Sequence, residues 1–573
     1  MDDAEPMTAV GLRPPDQVMR LARLGAFHQT RLSFLRVLLR RIGRERWQYA
    51  RPVFDLDDRG VGHAVYTVTR GPRSYSLVAF AHDLPPQMRT DRVIAEAWDA
   101  TFALFDGVPT TTDVARLAAN VPRQEAGRYL ASELVLARAN RSVRLFESVV
   151  ESLAQGHQPD ERQVGSTGYL MRTTAVYGNG KFGLADRDRI AAREELAGPF
   201  QAEMLTVWLI RAFTVDLVEH LARARDSHRA VRLLPRLRRR LGIGNATGLG
   251  MAPFLVRHPT LIHSWIAARE TALARVRSLA SAAPETRARF LRLLPKARRL
   301  IADWRTDDPV QAPRLPILLA EISSMERAAP ELLASRHRPW DRLYKWGEET
   351  LSLEGQELLV SLMLEPHGAL VDDLAGGMTV DETVAFRIDG TMSVRQLRDD
   401  IERHYAFALK LDFSRAEATR RFWYVSEEKL EPRLGDRFAE PGADLELPLA
   451  IGRDVSALHR ALGSASPGES VAVFLTRHPE HRHTVRRVQI ASRHPYAEIR
   501  DNLIGSDLRA VDVLRAKLSF FGCTRFDPRS DKWLRITLFQ DAPFPDEIGA
   551  GDWDGWIWGV AESAPLAAPG VTT

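Results

Sequence analysis

A single cysteine, Cys523, in a chain of 573 residues leaves the fold no intramolecular disulfide framework and no metal site built from several thiolates. Such a chain is held by burial and by oxygen and nitrogen side chains. Hydrophobic residues make up 45% of the sequence and charged residues 27%, the composition of a folded globular protein rather than a disordered or fibrous one. The length exceeds one ordinary core and suits about two to four domains.

Patterning adds two further exclusions. The most apolar stretches, Phe200 to Val218 and Leu351 to Leu370, are broken by Glu203, Arg211 and Asp216 and by Glu354, Glu357 and Glu365. Neither supplies the roughly 20 apolar residues of a bilayer span, so no membrane association is expected. The acidic start, Met-Asp-Asp-Ala-Glu-Pro, lacks the basic and apolar regions of a signal peptide, so the expected location is cytoplasmic. Basic and acidic residues number 79 and 74, too near balance for strong steering by net charge. Only seven of the basic residues are lysines. This marks Lys181, Lys429 and Lys517 as positions where a compact, titratable ammonium is kept.

Periodicity gives an α+β chain, predominantly helical. Asp16 to Arg46 carries one apolar face at spacings of three and four and predicts an amphipathic helix. Val65 to Thr69 and Ser74 to Ala81 flank Arg-Gly-Pro-Arg as a hairpin, and Asp91 to Ala154 reads as helical with a break at Gly107 to Thr112. These form an N-terminal α+β domain, 1–160. His157 to Arg187, rich in Gly, Thr, Asn and Asp, reads as a long loop. A nearly all-helical middle domain, 161–310, includes helices over Glu203 to Arg225, Pro253 to Leu279 and Thr286 to Trp304, with a linker over Thr306 to Pro316. A C-terminal α+β domain, 311–548, opens with a capping box at Ser393-Val-Arg-Gln396 and a helix start at Ser414-Arg-Ala-Glu417. Strands over Val471 to Thr476, Val485 to Ala491 and Leu534 to Phe539 form its small, mostly antiparallel sheet, and Tyr496 to Leu518 is helical. A flexible tail, 549–573, completes the parse. The motif F-L-x-R-H-P-x-x-x-H occurs at Phe254 and again at Phe474, in surroundings that read as helical in one case and as a joint between strands in the other.

Four segments carry candidate chemistry. Arg172 to Asp186 contains Gly-Asn-Gly-Lys, where glycines let the backbone approach a ligand and Arg172, Asn179 and Lys181 offer donors to an anion; its spacing is not that of a phosphate loop. Gly242 to Gly250 reads as a helix end and a turn opening a new helix near Met251, with Asn245 and Thr247 as anion donors. Its glycine spacing resembles a dinucleotide fingerprint but lacks the strand required before it, as Leu233 to Leu241 is Arg-rich and helical. Phe422 to Arg437 packs Glu427, Glu428 and Glu431 against Lys429 and Arg433 beside aromatics, residue types that shift one another's pKa and suit acid–base work. Lys517 to Trp533 surrounds Cys523 with cations, but no cysteine-hydrolase motif accompanies it and the thiol reads as structural.

Metal ligation is open only at His478, His481 and His483, on an expected hairpin turn, and the sequence does not favour it. The helical positions of His220 and His263 suit structural histidines. Nucleic acid is not favoured either, because Arg232 to Arg240 and Arg287 to Arg299 are interleaved with leucines and no stacking module accompanies them. No NAD, FAD or ATP fingerprint survives. The expectation is a cytoplasmic metabolic enzyme, lyase or hydrolase, acting on a small carboxylate or phosphate. Glu428, Lys429 and Glu431 are its acid–base groups, and Arg172, Asn179, Lys181, Asn245, Thr247 and Arg433 its binding groups. The alternative is a non-catalytic helical interaction or regulatory protein, and the chain leaves room for a homo-oligomer.

Overall fold

The Arg-Gly-Pro-Arg turn does close a hairpin, and that hairpin belongs to a sheet far larger than the sequence pattern suggests. The structure is a computed structural model that describes residues 10–88, 97–122, 130–174, 190, 193–248, 255–256, 258–304, 306, 308–378, 387–414, 423–426, 432–434, 446–449, 451–500, 510–523, 525–528 and 533–547. Its strands are β1 (Gln48–Leu56), β2 (Gly62–Arg70), β3 (Arg73–Ala81), β4 (Ala100–Asp106), β5 (Glu133–Arg141), β6 (Tyr169–Thr173), β7 (Gly242–Gly248), β8 (Trp423–Ser426), β9 (Pro432–Leu434), β10 (Glu446–Leu449), β11 (Arg525–Pro528) and β12 (Trp533–Leu538). Nine of them form one sheet in the order β1-β2-β3-β4-β5-β6-β7-β12-β11, and β10-β8-β9 form a second. Every pair in the large sheet is antiparallel except β6 with β7.

The chain is mainly helical and α+β, as its periodicity implies, but the small C-terminal sheet is corrected to this nine-stranded one, which also crosses the composition shifts near 160 and 310. The reason is visible in β4. Six of its seven residues are buried, so the strand reads as a continuous apolar run without alternation, which periodicity cannot separate from a buried helix. Thus Asp91 to Ala154, expected to be helical, contributes β4 and β5 as well as helices. The expected loop over 157–187 likewise contains a helix, Glu161–Thr167, and β6.

Among the helices that build the interior and flank the sheet are α1 (Phe34–Glu45), α2 (Thr111–Asn120), α3 (Gln201–Arg225), α4 (Pro259–Arg277), α5 (Leu353–Leu364) and α6 (Ala510–Phe521). The helix expected over 16–46 is broken into Pro15–Val18, Leu21–Gly25 and α1. Between the last two pieces His28 and Arg31 turn inward toward acidic partners. α3 is apolar nearly all round, the signature of a helix buried on every side, and it packs along strands β2 to β7. Phe34, Phe200, Trp265 and Phe521 meet with ring centroids 4.6–6.2 Å apart, joining α1, the start of α3, α4 and α6. Most of the buried apolar residues described form one contiguous cluster that runs from Val18 to Phe544.

The charges inside α3 are placed to fasten distant chain. Arg211 donates to the carbonyls of Arg239, Leu241 and Ala542 at 2.6–2.8 Å, and its guanidinium lies 3.7 Å from the centre of the Phe544 ring. Burial lowers its pKa to about 9, so the cation is held by carbonyl dipoles and by carboxylates farther off. Among the described residues, no helix is long and apolar enough to cross a membrane.

Candidate functional site

Gly242 to Gly248 is not the turn its composition suggests but the strand β7, and its glycines have a steric cause. A Cβ on Gly244 would lie 2.7 Å from the Tyr169 ring, and one on Gly242 would overlap the Leu538 carbonyl. The strand is glycine-rich because both neighbours approach closely. Its parallel partner is β6, with Tyr169 opposite Gly242 and Arg172 opposite Gly244. On its other side Trp533 of β12 stands opposite Gly248, and β11 reaches the same end at Pro528, opposite Leu534.

This register brings three sequence-distant motifs to one end of the sheet. β6 and β7 finish there, β12 begins there and β11 ends there. Arg172 and Asn245 are both buried and sit on neighbouring strands. The Asn245 side-chain amide donates to the Thr173 carbonyl at 2.8 Å, locking the two strand ends together. Thr174 continues the edge, its hydroxyl accepting from the Arg138 amide at 3.0 Å, and the Arg138 guanidinium covers Trp98 at 5.3 Å. Thr247 is in β7 one residue from its end. Asn179 and Lys181 lie outside the described residues, in the segment that begins one residue after Thr174, as do 249–254 after Gly248 and 529–532 before Trp533.

The strands on either side of the acid–base candidates belong to the other sheet. β8 and β9 pair antiparallel from Trp423↔Leu434 to Val425↔Pro432. Arg433 is therefore a β9 residue opposite Tyr424, while Glu427, Glu428, Lys429 and Glu431 are in the connection outside the described residues. The hydrogen-bonded register does not join this sheet to the strand ends carrying Arg172 and Asn245.

The histidine segment is corrected: Val471–Arg477 and Arg482–Arg493 are helices, not strands, and Pro479–His481 is a 3₁₀ turn between them. His478 stacks on Phe474 with centroids 4.8 Å apart and lies 3.3 Å from Glu480. Among the described residues, no group of three metal-ligating side chains is gathered anywhere. His220 faces the Asp57 carbonyl at 2.8 Å. His263 accepts the Tyr496 amide through Nδ1 at 3.1 Å, and burial, with His494 nearby, lowers its pKa to about 4. Cys523 is buried, and burial pushes its thiol well up despite a backbone hydrogen bond from Thr537. The arginine run 232–240 faces carboxylates: Arg236 pairs with Glu161, Arg238 with Asp546 and Arg239 with Glu547.

Among the described residues, an extensive buried network of arginines and carboxylates carries no sequence motif. α5 presents Glu357, with Glu365 just past its end, to arginines of the first forty residues, and Glu354 to His28 and Arg515. Glu357, fully buried, accepts from Arg13 at 2.7 Å, from Arg269 at 2.9 Å and from Arg23. Arg13 also grips Glu270 at 2.6 and 2.7 Å. Arg36 pairs in parallel with Glu365, Arg31 with Asp372 at 2.7 and 2.9 Å, and Glu354 meets Arg515 at 2.6 Å and His28 at 3.0 Å. The one signal for it in the sequence is the three glutamates inside an apolar stretch, since a buried carboxylate requires a partner. Comparison with protein-family models, curated proteins and solved structures gives no match.

Proposed function

We propose that the chain is a cytoplasmic metabolic enzyme that holds a small anionic substrate, a carboxylate or phosphate, where β6 and β7 end beside the start of β12. The observation that carries this reading is the register: Arg172 stands opposite Gly244, and Asn245 bonds Thr173. The chain that leads into the Gly-Asn-Gly-Lys segment and the chain that follows β7 therefore leave the sheet side by side. Adjacent carboxyl ends of parallel strands are where open α/β sheets bind ligands, and backbone amides released at such ends suit anions. Arg172, Asn179, Lys181, Asn245 and Thr247 are the binding groups. Arg433 of β9 is a further binding group, and Glu428, Lys429 and Glu431 on the β8–β9 connection are the acid–base groups, a part that rests on residue type alone and points to a lyase or hydrolase. The competing reading, a non-catalytic interaction protein, draws on the large share of arginines and carboxylates committed to the interior.

A thermal-shift screen against inorganic phosphate, citrate, malonate and sulfonates separates the two. A ligand at about 100 times its Kd adds about 2.7 kcal/mol to apparent stability. The enzyme reading predicts a shift with at least one anion that disappears in Lys181→Ala. An identical shift in that variant, or none with any anion in the native chain, contradicts it.

A further inference from the structure

The large sheet is covered unevenly on its outer face. Leu117 and Val121, at and just beyond the end of α2, pack on Val78, Phe80, Ala103 and Phe105 and form a small core separate from the main one. Farther along the same face, Val53 of β1 and Val65 of β2 stand opposite each other in the pairing, and from α2 Thr111, Val114 and the short side chains of Ala115 and Ala118 line the space beside them. What remains is a cleft of about 630 Å³, within the range of roughly 300 to 1,000 Å³ typical of small-molecule sites.

The lining defines the occupant. Among the described residues that line it, none is Asp, Glu, Lys or Arg, so a charged ligand would lose its hydration without a counter-charge. A protein partner needs about 800 Å² of continuous surface on each side. Here the surface beyond the cleft becomes charged at once, with Arg59 and Asp83 paired at 3.0 Å beside Val61 and His82. Gly62 lines the cleft at φ +144°, and a Cβ there would overlap the Asp55 carbonyl, so this wall is fixed by backbone. Three polar side chains line the space: His63, His82 and, at the start of α2, the exposed Thr111. His82 is already engaged, its Nε2 2.9 Å from the Thr101 hydroxyl, and burial lowers its pKa. His63, 6.5 Å from the Phe80 ring centre, has no hydrogen bond to its ring among the described residues.

We propose that this cleft between α2 and the β1–β3 face binds an uncharged, mainly hydrocarbon small molecule, with His63 receiving its single hydrogen-bonding end. The site uses strands and side chains distinct from those of the proposed anion site, and the two stand or fall separately.

The test titrates the full chain with the neutral fluorophore N-phenyl-1-naphthylamine. The expected result is a saturable rise in fluorescence that weakens at least roughly tenfold in Ala118→Arg, where a guanidinium enters the apolar space. Ala118 is exposed on its helix, so the variant folds. Val108→Asp, at a lining position 61% exposed, gives a second, milder obstruction with loss in the same direction. Displacement by 1-naphthol weakens roughly threefold to tenfold in His63→Phe, the worth of one hydrogen bond, while displacement by 1-methylnaphthalene is unchanged. A non-saturable signal, or equal binding by the native chain and Ala118→Arg, overturns the site. Equal effects of His63→Phe on both displacers overturn the role of His63.

Discussion

Glu357 shows how much of this molecule is decided by single side chains. It is fully buried and meets the guanidiniums of Arg13, Arg23 and Arg269, so its pKa is held well below the usual carboxylate range although burial alone would raise it. Replacing it with Gln leaves three buried cations short of a counter-charge. Breaking a buried pair in this way costs about 3–5 kcal/mol, and urea denaturation of Glu357→Gln should show a loss of that size. Arg225→Ala, which removes an exposed pairing with Glu147 and Glu151, should change stability by less than about 1 kcal/mol. Ionisation also predicts the pH dependence. Burial would raise Glu354, but Arg515 and His28 bring it to about 2 from an ordinary 4.5. Its stabilisation is complete above about pH 4.5 and is lost as pH falls toward 2. His263 and His367 sit at about 4 instead of 6.5, mainly through burial. The fold excludes their protons, and stability falls as pH drops from 6.5 through 4. Urea midpoints should decline from pH 7 to pH 5 and do so less steeply in His367→Phe; a decline of equal slope would remove His367 from the explanation.

At the scale of elements, legibility depends on the kind of burial each one has. Helices with caps or clear faces are readable in the sequence. The Ser393 box is present with both reciprocal hydrogen bonds, and α3 runs over Gln201–Arg225, two residues from its predicted start. Ser393→Ala should cost about 1 kcal/mol through loss of the cap, measurable by the same denaturation. Strands buried on both faces escape a reading by periodicity because they lack alternation. Val471–Arg477 and Arg482–Arg493 look like strands only by β-branched and aromatic content, a weak signal that packing context overrides. The repeated F-L-x-R-H-P motif, with neighbours that read differently, has the same local outcome twice. His258 (φ −116°, ψ 68°) and His478 (φ −127°, ψ 60°) each precede a proline that starts a helical segment, as proline restricts the residue before it and is pre-set for a first helical turn. The glycines of β7 are visible in the sequence, but their cause, the Tyr169 ring and the Leu538 carbonyl, is not. Gly244→Ala should cost about 1–3 kcal/mol by overpacking, and much of that should be recovered when Tyr169→Leu is added. Equal cost with and without Tyr169→Leu would show that the ring is not the obstacle.

Over the whole molecule, chain order and spatial order diverge. Strand β7, from the middle of the sequence, lies between β6 and β12, and Arg13 near the start is held by Glu357 far along the chain. Residues 1–310 alone would leave β7 without β12 and Arg13 without Glu357. That fragment should lack a cooperative thermal transition, and a sharp one by circular dichroism would show that it folds independently. The same long-range pairing explains why the candidate site is only half legible: Arg172, Asn245 and the glycine-rich segments can be picked out by residue type, but their meeting depends on register between distant strands. Hydrogen–deuterium exchange on the full chain, with and without the anion giving the largest thermal shift, tests that meeting most directly. Slower exchange should appear together at Thr173 to Thr174, at Thr247 to Gly248 and at Trp533 to Leu534, while β1 to β3 remain unchanged. Protection confined to one of these strand ends, or absent from all three, would contradict a shared anion site.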